Sequence, residues 1–135
     1  MLINKKNSNI VSIFKLEFYN SQIRKDNSKY GTILESGQLH PRIVKEMIDF
    51  NNTFVICLGL GNLTRDEMVN LCIKHDKEND WTYGLSREYL EKHAEDWYNC
   101  NEMLKIECPK YGIEYIDTST DREKVLIKIL NQIIG

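Results

Sequence analysis

Apolar and polar positions alternate in a regular way from Thr32 onward, and that rhythm carries most of the information in the chain. Thr32 to Glu35 is a short apolar run bounded by polar residues, the pattern of a buried strand. Pro41 then opens a helix expected to run to about Phe50, because a proline at the first helical position gives up no needed hydrogen bond. Ile43, Val44, Met47 and Ile48 form its inner stripe. Thr53-Phe54-Val55-Ile56-Cys57-Leu58 is continuously apolar, as parallel strands covered on both faces tend to be. Thr64 and Glu67 have the spacing of a capping box and predict a helix through Met68, Leu71 and Cys72 to about His75.

A charged loop follows, Asp76 to Leu85, which contains Trp81 and Tyr83. Ser86 caps a long helix with the stripe Leu90, Ala94, Trp97, Asn101, Leu104 and Cys108, expected to close at Pro109 and Gly112. Ile113 to Ile116 is the last strand. Thr120, with Glu123 three residues on, is expected to cap a final helix carrying Leu126, Ile129, Leu130 and Ile133. Before Thr32 the pattern is weaker. Ile10 to Tyr19 alternates partly with period two and predicts a strand, and Asn20 to Tyr30 is a polar loop or frayed helix. Strands alternating with helices call for parallel pairing through crossovers, so the class is α/β.

Composition narrows this further. The chain has 135 residues, enough for one domain with a real core, and a net charge of −2. That charge gives no general case for nucleic-acid binding, which needs clustered positive surface. Cys57, Cys72, Cys100 and Cys108 form no CxxC pair and stand at no zinc-finger spacing from His40, His75 or His93. A reduced cytoplasmic protein is expected, and no run approaches the ~18 apolar residues of a membrane span. Gly59-Leu60-Gly61 after a strand superficially suggests a dinucleotide fingerprint. The third glycine position holds Thr64, and Asp66 and Glu67 in the first helical turn would repel a phosphate, so we reject it.

Leu34-Glu35, Gly37, Leu39 and Pro41 resemble the order in which a P-loop kinase ends a strand in an acidic residue and begins a helix. With the later strands and the Asp117-Thr118-Ser119 loop, residues 31 to 134 resemble the part of a nucleotide or small-molecule kinase downstream of its phosphate loop. Lys74 to Trp81 and the Leu90–Cys108 helix look like uncharacterised ATPase/kinase-like proteins of bacteria. The resemblance implies a single three-layer domain over 1–135 with a parallel sheet, an atypical N-terminal segment over 1–30 and a lid-like region over 64–108. It implies ATP and magnesium as cofactors, Glu35 and Arg87 as catalytic groups, with Arg65 a weaker candidate, and Asp117, Thr118 and Ser119 beside the nucleotide. No metal-ligand set is expected from the residues themselves.

One departure is severe. Such kinases carry G-x-x-x-x-G-K-[ST], and this sequence has no glycine before Gly31. The fold is therefore expected to be truncated or degenerate at its N-terminus. The implied function is that of an ATP-dependent kinase-like phosphotransferase with impaired or lost catalysis. The alternative is a non-catalytic binding or interaction module derived from such a kinase. A sheet with unpaired edges would then invite association with a second copy.

Overall fold

The computed structural model describes residues 35–37, 39–51 and 53–134. The strand expected over Ile10 to Tyr19, the polar stretch to Tyr30 and Thr32–Leu34 lie outside the described residues. The described part is mixed α/β. Its order is α1 (Pro41–Met47), β1 (Ile56–Gly59), α2 (Arg65–His75), α3 (Arg87–Lys110), β2 (Glu114–Asp117) and α4 (Arg122–Ile134).

Local chemistry sets each boundary. His40 caps α1, its Nδ1 accepting from the Arg42 amide at 3.3 Å, and Pro41 follows at the first helical position. The helix stops at Met47, short of the expected Phe50. Ile48 is already extended, and Asp49 then offers its carboxylate to the Asn51 amide at 3.0 Å, a local turn that competes with further helix. The expected capping box is present at α2. The Glu67 amide donates to Thr64 Oγ1 at 3.3 Å, while Glu67 Oε2 accepts from the Thr64 amide at 2.7 Å.

Ser86 caps α3 through the Tyr89 amide at 3.2 Å. Proline does not end α3 where expected: Pro109 lies inside the last turn, where its missing N–H forfeits only one bond. The stop comes at Tyr111 and Gly112, the latter at φ +70, as the Ile113 amide reaches back to the Cys108 carbonyl at 3.0 Å. α4 is capped by Asp121 instead of Thr120, with Asp121 Oδ1 accepting from the Lys124 amide at 3.1 Å. The aspartate stands at the residue flanking the first turn, a position Thr120 misses by one.

β1 and β2 pair in parallel, Ile56 opposite Glu114 and Gly59 opposite Asp117. Both strands are shifted toward the C-terminus of their expected spans, and the parallel pairing expected of them is present. α3 is the central element and comes against α1, α2, β1 and β2. One buried cluster, Ile43, Val44, Cys108 and Ile113, lies where α1 and the sheet meet the end of α3. A second, Val69, Leu90 and Ala94, with Cys72 and Trp97 against it, seals α2 onto the start of α3. No Cα atom of α4 comes within 8 Å of another described element. Among the described residues, no helix is long and apolar enough to cross a membrane.

Candidate functional site at the strand ends

Parallel register brings the carboxyl ends of β1 and β2 to the same edge, the place where open α/β sheets hold ligands. Two loops meet there, Leu60–Thr64 after β1 and Thr118–Thr120 after β2. The Thr118 amide and Oγ1 both donate to the Gly59 carbonyl, each at 2.9 Å, so the second loop is tied to the end of the first strand. Asp117 Oδ1 accepts from the Ser119 amide at 2.8 Å and shapes the turn into α4.

The loop after β1 is fixed from below by Asn101 of α3, a buried amide on an otherwise apolar stripe. Its Oδ1 accepts from the Leu60 amide at 2.9 Å and from the Tyr115 hydroxyl at 2.6 Å, and its Nδ2 donates to the Gly61 carbonyl at 2.9 Å. The Gly61 amide in turn donates to Tyr115 Oη at 3.0 Å. Every polar atom of this small network has a partner, as buried polar groups must.

The two glycines have separate reasons. A Cβ at Gly59 would collide with the Tyr115 ring, which crosses the strand there. Gly61 sits at φ +57, and a Cβ on it would run into the Asp117 carboxylate. The Leu60 and Gly61 amides are already bonded to protein oxygens, so this loop offers no nest for a phosphate. That is a second reason, beside the acidic first turn of α2, why the Gly59–Gly61 pair is not a dinucleotide fingerprint.

Lys105 supplies the positive charge at this edge. Its ammonium donates to Asn62 Oδ1 at 2.9 Å and to Glu102 Oε1 at 2.7 Å, and the bond to Glu102 raises its pKa. Burial raises the pKa of Tyr115, whose hydroxyl also feels Lys105 and Asp117 with opposite sign. A cation and a carboxylate thus both abut the loop after β1. Neither Lys105 nor Tyr115 stood out in the sequence. Asn101 carried a readable signal, a polar side chain on an apolar helical stripe.

The sequence-derived candidates fall in three places. Asp117 ends β2, and Thr118 and Ser119 begin the loop after it, with Thr118 buried and its hydroxyl proton already donated. Arg87 lies at the start of α3, where its guanidinium binds Glu91 at 2.9 Å, Asn70 at 2.9 Å and Asp66. These carboxylates raise its pKa and leave it pinned between α2 and α3. Arg65 is held likewise by Glu95, with its guanidinium 4.0 Å from the Tyr98 ring centroid. Glu35 is exposed and precedes α1 outside any helix or strand. Among the described residues, no group of three or more His, Cys, Asp or Glu side chains is arranged to hold a metal ion. All four cysteines are free thiols. Burial pushes Cys57 up to about 12 and also raises Cys72, Cys100 and Cys108, which argues against an activated nucleophile.

No family model matches the chain, and no curated protein or solved structure is found to be similar to it.

Proposed function

We propose that this chain is a kinase-like nucleotide-binding protein that engages its ligand at the carboxyl ends of β1 and β2 without efficient phosphoryl transfer. The larger parent architecture of this reading is a three-layer parallel sheet, of which β1 and β2 are two strands. One observation carries it: Lys105 and Asp117, of opposite charge, abut a loop that Asn101 and Tyr115 hold rigid at the ligand-binding edge of a parallel pair. In this reading Asp117 and Ser119 face the base or ribose, and Lys105 faces the anionic end of the ligand once it exchanges Glu102 and Asn62 for it, a swap that keeps its binding weak. Thr118 acts as a positioning residue by fastening one loop to the other.

Weak transfer follows from the same geometry. Phosphoryl transfer depends on positioning and on cations aimed at the transferred group. The backbone donors of the Gly59–Gly61 loop are consumed internally, and Arg65 and Arg87 are engaged by carboxylates. An arginine must break those bonds before it reaches a phosphate. ATP with magnesium fits this edge as a charged ligand but not as a cradled triphosphate, so binding is the function assigned and turnover is not.

Calorimetry and thermal denaturation with ATP and magnesium test the reading, alongside measurement of ADP release. Saturable binding that stabilises the fold by ~2.7 kcal/mol at ~100 times the dissociation constant is expected, with ADP release near background. Lys105→Ala and Asp117→Ala should each weaken binding without unfolding the chain. An unchanged melting curve at millimolar nucleotide would overturn the assignment and leave the non-catalytic interaction module as the better description.

A further inference from the structure

An aromatic cluster lies on α3 and the loop before it, in a part of the molecule that the strand-end site does not use. His93 and Trp97, one helical turn apart, lie near-parallel with ring centroids 6.2 Å apart and an interplanar angle of 22°. Trp81 from the loop stands nearly at right angles to both, at 5.5 Å and 80° to His93 and at 6.4 Å and 79° to Trp97. Tyr89 adds a tilted ring 4.7 Å from His93. Trp81 and Tyr89 are open to solvent, 65% and 46% exposed, while His93 and Trp97 are half-buried beneath them, Trp97 resting on the Val69–Leu90–Ala94 cluster. Exposing a tryptophan to that degree forgoes a large hydrophobic gain, since aromatic side chains dominate core energetics when buried.

The loop is built to hold Trp81 in place. Thr82 is buried beside it, its hydroxyl donating to Asp76 Oδ1 at 2.5 Å. The Tyr83 amide donates to the Asp80 carbonyl at 3.0 Å, and the Leu85 amide to the Thr82 carbonyl at 3.1 Å. A tryptophan presented on a fastened turn loses little further entropy when something packs on it.

Charge then selects the partner. Residues 76–97 contain seven acidic and three basic side chains, a balance of −4 in a chain whose whole net charge is −2. Arg87 and Lys92 are held by Glu91 and Glu88, while Glu78, Asp80 and Asp96 make no ion pair among the described residues. Glu78 and Asp80 lie three residues and one residue before Trp81, and Asp96 immediately precedes Trp97. Lys77 is the cation of this segment left outside an ion pair among the described residues. The same helix already accepts a guanidinium on a ring, Arg65 over Tyr98 at 4.0 Å.

We infer that the Trp81, Tyr89, His93 and Trp97 surface is a docking site for a basic peptide segment of a partner protein, with an arginine or lysine laid on the rings and held by Glu78 and Asp96. Aromatic anchors at the centre and carboxylates around them give such a site its affinity and its selectivity respectively. The proposal is independent of nucleotide binding at the strand ends.

Selection of a random dodecapeptide display library on the full chain tests it, followed by titration of the recovered peptides. Trp81 and Trp97 are the two tryptophans of the chain, so intrinsic fluorescence reports on the cluster directly. Expected are peptides of net positive charge that shift the tryptophan emission saturably. Their affinity should fall at least ~10-fold in Trp81→Ala, whose far-UV circular dichroism and melting curve stay as in the parent. The Glu78→Gln, Asp96→Asn double variant should retain fluorescence and fold while losing affinity and salt sensitivity. Recovery of no binders, of neutral or acidic binders, or of basic peptides that bind Trp81→Ala equally well would overturn the inference.

Discussion

α3 and α4 are both amphipathic helices, yet the structure treats them in opposite ways. α3 carries Leu90, Ala94, Asn101 and Cys108 fully inside and takes part in both buried clusters. α4 has the cleaner apolar pattern in sequence, but Ile129 is its one buried position among those described, and Leu126, Ile127, Leu130 and Ile133 face outward. A cavity of about 230 Å³ lies between part of it and β2, lined by Glu114, Ile116 and Asp117 of the strand and by Val125, Lys128 and Ile129 of the helix. The lesson is that an apolar stripe specifies a helix without specifying that its whole width is used. What a stripe is worth depends on whether a neighbour is present to cover it.

The sharpest way to break the contrast is one chemical change made in both helices. Leu90 is 1% exposed, and Leu90→Ala should destabilise the protein by about 3–5 kcal/mol in urea denaturation, from lost transfer energy plus the cavity left behind. Next comes the polar anchor that joins α3 to the strand ends. Asn101→Ala leaves the Leu60 amide, the Gly61 carbonyl and the Tyr115 hydroxyl without their partner, at a cost of about 2–3 kcal/mol by the same measurement.

A smaller effect should appear on acidification, and it belongs to the α2–α3 pair. The Thr64 backbone amide, with its hydroxyl, lowers the pKa of Glu67, and the Arg65 guanidinium lowers that of Glu95. Carboxylates with depressed folded-state values stabilise fully above the ordinary glutamate range. That contribution is lost as the pH falls through this range to the lower folded-state values. Thermal midpoints recorded across the acid limb should decline accordingly, and Glu95→Gln should flatten the decline. The smallest change is expected in α4, where Leu130 is 51% exposed. Leu130→Ala should move stability by no more than ~0.5 kcal/mol. A loss as large as that of Leu90→Ala would show that a partner covers α4 in solution.

The sequence made the helix starts legible because caps are local chemistry. Thr64 with Glu67, Ser86, and Pro41 each marked a first turn that the structure contains. Helix ends were harder. Asp49 ends α1 through a side-chain bond to an amide two residues on, and one start, that of α4, was misplaced by a residue because Asp121 caps it instead of Thr120; polar loops contain several residues that could act so. At the candidate site, the Asp117–Ser119 loop was foreseeable from the strand before it. Lys105 was not, because one lysine among many on a charged helix face carries no mark of the loop it will reach across 43 residues. The fate of Arg87 was likewise hidden, since its partners Asp66 and Asn70 come from a different helix.

The parallel pairing of β1 with β2 has a kinetic consequence. The bond from Thr118 to Gly59 spans 59 residues, so no hairpin can seed it, and the whole helical excursion between them must close first. Helices α2 and α3 are consecutive in the chain and pack on each other, whereas β1 and β2 are separated by both helices. The pairing that brings the two strand ends together is therefore the long-range contact of this fold, closed at a higher loop-entropy cost than the helix pair.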